Sequence, residues 1–226
     1  MKQSPGTSAE NGGQSRGVPR RAFNKSLSLA AGALVVGAAV GSPARRAAAA
    51  APTYLSTFGQ QRYFTYPHQN AFFDGGRKVV LGQVDGPGRS SLWVQDIGGG
   101  TARRIGSFTF PGTRDYVYYD IADSRPLLAT SDTRSLWTID LAQATPTPRR
   151  LYTPPRGNSL DDLVSIRHDA SAILAAYRPT GANSPTTVVR VRVSDGAATR
   201  LFSKTFRANH LQYSRNDPTW FGFARD

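Results

Sequence analysis

The chain of 226 residues contains no cysteine. A disulfide framework, a thiolate metal site and a cysteine nucleophile are therefore all excluded. Glutamate is almost absent as well: Glu10 is the only one, and every acidic residue after position 50 is an aspartate. Histidine is confined to His68, His168 and His210. No two of these lie within five residues of each other, so no local histidine metal motif exists. There is no Gly-x-Ser-x-Gly elbow for a serine nucleophile. Gly98-Gly-Gly100 lacks the lysine and the helix that must follow a phosphate-binding loop, and it reads as a turn between strands. After Ala51 no stretch holds a sustained helical apolar period.

What is present begins with a paired arginine. Pro19-Arg20-Arg21-Ala22-Phe23-Asn24-Lys25 matches the twin-arginine export pattern, and the uncharged stretch Ser26 to Gly41 follows it. That stretch is mildly apolar and shorter than the roughly 20 residues a membrane span needs, so it reads as the apolar region of a signal. Arg45 and Arg46 then precede an Ala-x-Ala cleavage site near Ala48 to Ala50. Residues 1–50 are expected to be a twin-arginine signal peptide with a disordered, Gly/Ser/Gln-rich leader, and residues 51–226 the folded part. Export after folding suits a protein that must hold together without disulfides.

The whole-chain charge of +13 includes that signal. From position 51 onward there are 21 Lys or Arg, 19 of them Arg, against 14 Asp, which leaves a net charge of +7. The arginines are dispersed, with Arg103-Arg104 and Arg149-Arg150 the only adjacent pairs. Such a field favours an anionic partner without choosing among a uronate polymer, nucleic acid and lipid headgroups.

Short apolar runs separated by Gly, Pro, Asp, Asn and Ser clusters predict an all-β fold. They include Lys78–Gly82, Ser91–Ile97, Tyr116–Ile121, Leu127–Thr130, Leu136–Leu141, Ala172–Tyr177, Thr187–Val193 and Trp220–Phe223. A pattern recurs along them. An Asp-led turn and an apolar strand are followed by a second strand ending near Asp96, Asp140 or Asp195, and then by Arg104-Ile, Arg150-Leu or Arg200-Leu. The spacings of 46 and 50 residues match a four-stranded β-propeller blade. The expected architecture is a β-propeller of four-stranded antiparallel blades, incomplete at about three and a half. Its inner strands would be the apolar runs after each Asp, and its outer strands would be closed by the Arg-Leu or Arg-Ile pair. The three aspartates are expected to start turns through side-chain bonds to backbone, and Trp93 and Trp137 to pack between blades.

The segments Arg62-Tyr-Phe-Thr-Tyr-Pro-His68, Phe72-Phe-Asp-Gly-Gly-Arg-Lys-Val-Val-Leu-Gly82, Asp85-Gly-Pro-Gly88 and Leu92-Trp-Val-Gln-Asp-Ile97 resemble the first blade of oligogalacturonate lyases. His210-Leu-Gln-Tyr213 to Phe223 resembles the start of a later blade in the same family. The resemblance implies a seven-bladed propeller that cleaves pectin fragments by β-elimination. A base removes the C5 proton, and Mn²⁺ or another divalent cation with arginines stabilises the enolate-like intermediate. It implies further that the catalytic histidine and the His/Gln metal ligands lie on later blades, beyond Asp226, so that no catalytic residue is assigned in this chain. A non-catalytic exported propeller that binds a glycan or an envelope protein, as Tol-system propellers do, is the alternative.

Four residues are candidates for substrate binding. His210 opens an inner strand, where ligands meet a propeller's channel mouth. Arg215 follows five residues later and offers bidentate recognition of a carboxylate. His68 and Arg62 lie in the tyrosine-rich opening segment. His168, in the turn Arg167-His-Asp169, is expected to be structural. The expected partners are an anionic oligosaccharide (oligogalacturonate) and the export machinery, with no nucleic acid and no membrane in the mature form.

Overall fold

In the computed structural model, residues 62–111, 115–217 and 219–225 are described; the expected export signal lies outside them. The described residues form sixteen β-strands and no helix. β1 (Arg62–Tyr63) and β2 (Phe72–Phe73) both pair with β3 (Lys78–Gly86), which continues to β4 (Arg89–Asp96) and β5 (Arg103–Thr109). The second sheet runs β6 (Tyr119–Ile121), β7 (Leu127–Ser131), β8 (Leu136–Asp140), β9 (Arg149–Tyr152). In the third, β10 (Asn158–Leu160) and β11 (Ser165–Ile166) flank one side of β12 (Ala172–Pro179), followed by β13 (Thr186–Arg192) and β14 (Ala198–Lys204). The fourth pairs β15 (Ala208–Tyr213) with β16 (Phe221–Arg225). All pairings are antiparallel, as in successive propeller blades.

The apolar runs exist because blades pack face to face, the second and third being covered on both faces. Successive residues of a strand point to opposite faces, so a strand between two neighbours must be apolar throughout. Leu128 of β7 joins a core with Val80, Leu92, Val94, Ile105 and Tyr119 between the first and second blades. Its neighbours Leu127 and Ala129 join Ile173, Ala175, Val189 and Val191 between the second and third. On β12 the same switch sends Leu174 and Ala176 to Ala208, Leu211 and Tyr213 of the fourth. Trp137 packs into the first of these cores, with its ring edge-on to Phe108 at 6.4 Å, as an interblade residue should. Trp93 instead lies between two guanidinium groups, those of Arg62 and Arg104, each 5.0 Å from its ring.

Three strand assignments from sequence need correction. The apolar runs after each Asp are the second strands of their blades. The innermost positions belong to β1 and β2, β6, and β10 and β11, pieces of two or three residues that are too short to show a period. The Arg pairs open the outer strands and do not close them: β5 begins at Arg103 and runs to Thr109, and β9 begins at Arg149. His210 lies inside β15 and does not open it. The expected turn role of the strand-end aspartates is met at two positions, where Asp140 accepts from the Ala142 amide at 3.0 Å and Asp195 from the Ala197 amide at 3.0 Å.

The blades approach closely at Gly196, in the turn between β13 and β14. Its φ is +77°, and a Cβ there would overlap the carbonyl oxygen of Leu151 on the neighbouring outer strand. Both the left-handed backbone and the contact require glycine. Gly196→Ala is therefore expected to lower stability by at least about 2 kcal/mol, read as a shift in urea midpoint; an unchanged midpoint would mean that the third blade does not press on the second.

Candidate functional site

The segment from Arg62 to Phe73 runs along the inner ends of the blades and binds each in turn. The Thr65 hydroxyl donates to the Tyr119 carbonyl and accepts from the Tyr119 amide at 3.1 Å. The Tyr63 hydroxyl accepts from the Val117 amide at 2.7 Å, and burial pushes its ionisation up to about 12. Gln69 donates to the Val164 carbonyl of the third blade, and Gln212 of the fourth donates to the His68 carbonyl at 3.2 Å. One irregular segment thus satisfies backbone groups that the short inner strands leave without ladder partners.

At the centre of this arrangement is Asp120, the one charged residue of β6, only 1% exposed. One carboxylate oxygen accepts from the Asn70 amide at 2.9 Å and from Arg215 Nη2 at 2.9 Å. The other accepts from the Ile166 amide at 3.0 Å and the Ser165 hydroxyl at 3.2 Å. The Ser165 hydroxyl in turn accepts from the Tyr213 amide at 3.0 Å. Donors from the first, third and fourth blades therefore converge on a carboxylate of the second. Burial pushes the Asp120 carboxyl up from its ordinary range, and the Arg215 guanidinium and the two amides oppose that push.

Beside this junction opens a cavity of about 950 Å³. His68, His210, Arg215, Gln212, Asp217 and Trp220 are among the residues that line it. Three of the four candidate residues are therefore together, although His68 and His210 are 142 positions apart in sequence. The ring of Tyr66 lies 4.9 Å from both imidazoles, and the imidazoles lie 6.0 Å from each other. His210 holds a φ of +50° where the β15–β16 register shifts between Asn209 and Gln212. A bulge of this kind re-aims a side chain, and a left-handed non-glycine residue persists only where its surroundings enforce it.

Arg215 is not a free cation. Its second amino group reaches Asp123 at 3.1 Å, so both terminal nitrogens already face carboxylates. The two contacts differ in kind. Asp120 is buried and held by four donors, whereas the Asp123 side chain is 47% exposed and gains at most about 1 kcal/mol from such a pair. Arg62 is elsewhere: it chelates the Gln83 side-chain oxygen at 3.0 and 3.2 Å and covers Trp93, away from the cavity. His168 sits in the β11–β12 turn and accepts through its carbonyl from the Ser124 amide at 2.9 Å. Among the described residues no three His, Cys, Asp or Glu side chains stand together as metal ligands.

Sequence reading passed over Asp120, Gln212 and Trp220. For Asp120 a signal existed, a single carboxylate between Tyr119 and Ile121 in an otherwise apolar strand. Trp220 carried none, because it stood within an apolar run and read as strand.

No family model matches the chain, and no curated protein matches it in sequence. Solved structures do match in fold. An oligogalacturonate lyase in complex with manganese aligns with a TM-score of 0.60 at 17% identity, over 73% of this chain and 47% of that one. An oligogalacturonate lyase from Vibrio parahaemolyticus aligns with a TM-score of 0.62 at 15% identity, over 76% and 48%. TolB from Acinetobacter baumannii is more distant, with a TM-score of 0.46 at 14% identity over 66% and 36%. The chain spans about half the length of the two lyases, and the likeness is one of β-propeller fold.

Burial, the neighbouring His210 and the charge of Arg215 hold the His68 imidazole below its ordinary value of 6.5. The unfolded chain then takes up this proton before the folded one does, and stability falls as pH drops through the unfolded value. Lowering the pH from 7.5 to 5.5 is expected to lower the urea midpoint of the wild type, and His68→Gln to flatten that slope. An identical slope in the variant would place His68 in an unperturbed setting.

Proposed function

We propose that the cavity bearing His68, His210 and Arg215 is the sugar site of an oligogalacturonate-lyase-like propeller, exported by the twin-arginine route and acting in pectin breakdown. In that chemistry a base removes the C5 proton beside the uronate carboxylate, the C4–O bond breaks, and a C4–C5 double bond forms. The observation that carries the reading is the convergence of the two imidazoles and the guanidinium in one cavity at the inner ends of the blades. The lyase-like fold supports it. No described residue is assigned the role of base.

The exposed Asp123 contact gives the site a way to take an anion. A ligand carboxylate can replace Asp123 on Arg215 Nη1 while Nη2 stays fixed on Asp120, so the guanidinium is exchanged without being released. A neutral His68 imidazole beside it can accept a hydrogen bond from a sugar hydroxyl. This predicts that Asp123→Asn, which removes the competing carboxylate, tightens binding of digalacturonate by about threefold. It also predicts that added salt weakens the binding. Calorimetry of the full chain with digalacturonate and with neutral galactobiose tests both points. Equal or weaker binding by Asp123→Asn would contradict the exchange, and preference for the neutral disaccharide would contradict the uronate reading.

A further inference from the structure

The side chain that the cavity leaves most conspicuously unused is Trp220, 70% exposed at the start of the strand opposite Arg215. The neighbouring aromatics make ring contacts, although Phe223 is itself 38% exposed. Phe221 stacks on Phe202 at 6.1 Å and meets Tyr213 at 6.4 Å, Phe223 lies 5.1 Å from Phe202 and 6.5 Å from Phe206, and Arg225 covers Phe206 at 4.8 Å. No aromatic or cationic side chain among the described residues packs on the Trp220 ring. An indole left in water is an unusual placement for the residue type with the largest apolar area.

Hydrogen bonds brace the described residues on either side of it. The Ser214 amide donates to the Trp220 carbonyl at 3.0 Å, and the Trp220 amide to the Asp217 carbonyl at 3.1 Å. The Ser214 hydroxyl accepts from the amides of Asn216 at 3.3 Å and Asp217 at 3.1 Å, and Asp217 accepts from the Thr219 amide at 2.9 Å and its hydroxyl at 2.6 Å. Ser214 and Trp220 close the hairpin, and Arg215, next to Ser214, is held on Asp120 while lining the same cavity as Trp220. An exposed indole, a guanidinium held by Asp120 and two imidazoles thus share one concave cavity, a composition that suits a small-molecule site.

Resting on the sugar-site reading above, we propose that Trp220 is the stacking platform of that site and selects a galacto-configured hexuronate. In a galacturonate ring the axial O4 leaves the C–H bonds of C3, C4 and C5 together on one face, which is apolar and matches an indole. The carboxylate at C5 is equatorial and projects from the ring's edge. A ring lying on Trp220 therefore sends its carboxylate sideways, where Arg215 stands, and keeps its hydroxyl edge toward the imidazoles. In a glucuronate ring O4 is equatorial and H4 turns to the opposite face, so the continuous C3–C4–C5 patch is broken and the contact of that face with the indole is smaller.

The test is titration of the full chain, followed by tryptophan emission and by calorimetry, with digalacturonate, a glucuronate disaccharide and galactobiose. Digalacturonate is expected to change the emission of the wild type and to bind more tightly than the glucuronate disaccharide. Trp220→Ala should bind it about tenfold more weakly, without the galacto preference, and Trp220→Phe should recover most of the affinity. The unchanged circular dichroism of both variants checks that the fold survives. Digalacturonate binding to Trp220→Ala with wild-type affinity and wild-type preference overturns the platform and leaves the sugar site standing. Binding of galactobiose but not digalacturonate by the wild type overturns the uronate reading itself, and with it the ligand assigned to Trp220. A change in sedimentation of the unliganded chain on Trp220→Ala would overturn the proposal in favour of a protein-docking surface.

Discussion

A single buried carboxylate ties the blades together at their inner ends. Asp120 loses its hydration on folding, which is costly for a charged group, and the cost is offset only because four donors meet it: two backbone amides, a hydroxyl and a guanidinium. Those donors come from Asn70, Ser165, Ile166 and Arg215, so the first, third and fourth blades each have a group that is satisfied only while the second is in place. The positions of Arg215 and of the Tyr213 amide follow from it, and so does the shape of the cavity between the opening segment and β15.

The outer parts of the blades need no such device. Their long strands satisfy one another's backbone in ladders, and their side chains fill three interblade cores by alternating between faces. At the inner ends of the first three blades the strands shrink to two or three residues, and the ladder no longer suffices. Side chains such as Thr65, Gln69, Asn70 and Gln212 take over, and polar groups gather where the rest of the fold is apolar. The same scarcity of regular backbone that demands Asp120 leaves room for a pocket lined by His68, His210 and Arg215.

This division explains what the sequence revealed. The second and middle strands of each blade were legible because burial on both faces makes them continuous apolar runs, and the blade period was legible because those runs recur with Asp turns. Of the innermost strands β6 was legible, inside the run Tyr116–Ile121, whereas Ser165-Ile166 is too short to show any period and mixes polar with apolar residues. At the site, His68, His210 and Arg215 were singled out as chemically able side chains near strand starts, but nothing local showed that Arg215 is held by two aspartates. Arg62 ranked second to Arg215 in sequence, and the register with Gln83 and the contact with Trp93 separate it from the cavity. Exposure of Trp220 depends on which strands lie beside β16, a tertiary fact with no local signature.

The claim that Asp120 couples the blades is tested most directly by native-state hydrogen exchange of the Asn70, Ile166 and Tyr213 amides in the wild type and in Asp120→Asn. If the carboxylate is the junction, the three amides exchange in the wild type through one shared opening, and all three accelerate together in the variant. If the Tyr213 amide of the fourth blade keeps its wild-type rate while Asn70 and Ile166 accelerate, the blades are held independently and the account is contradicted.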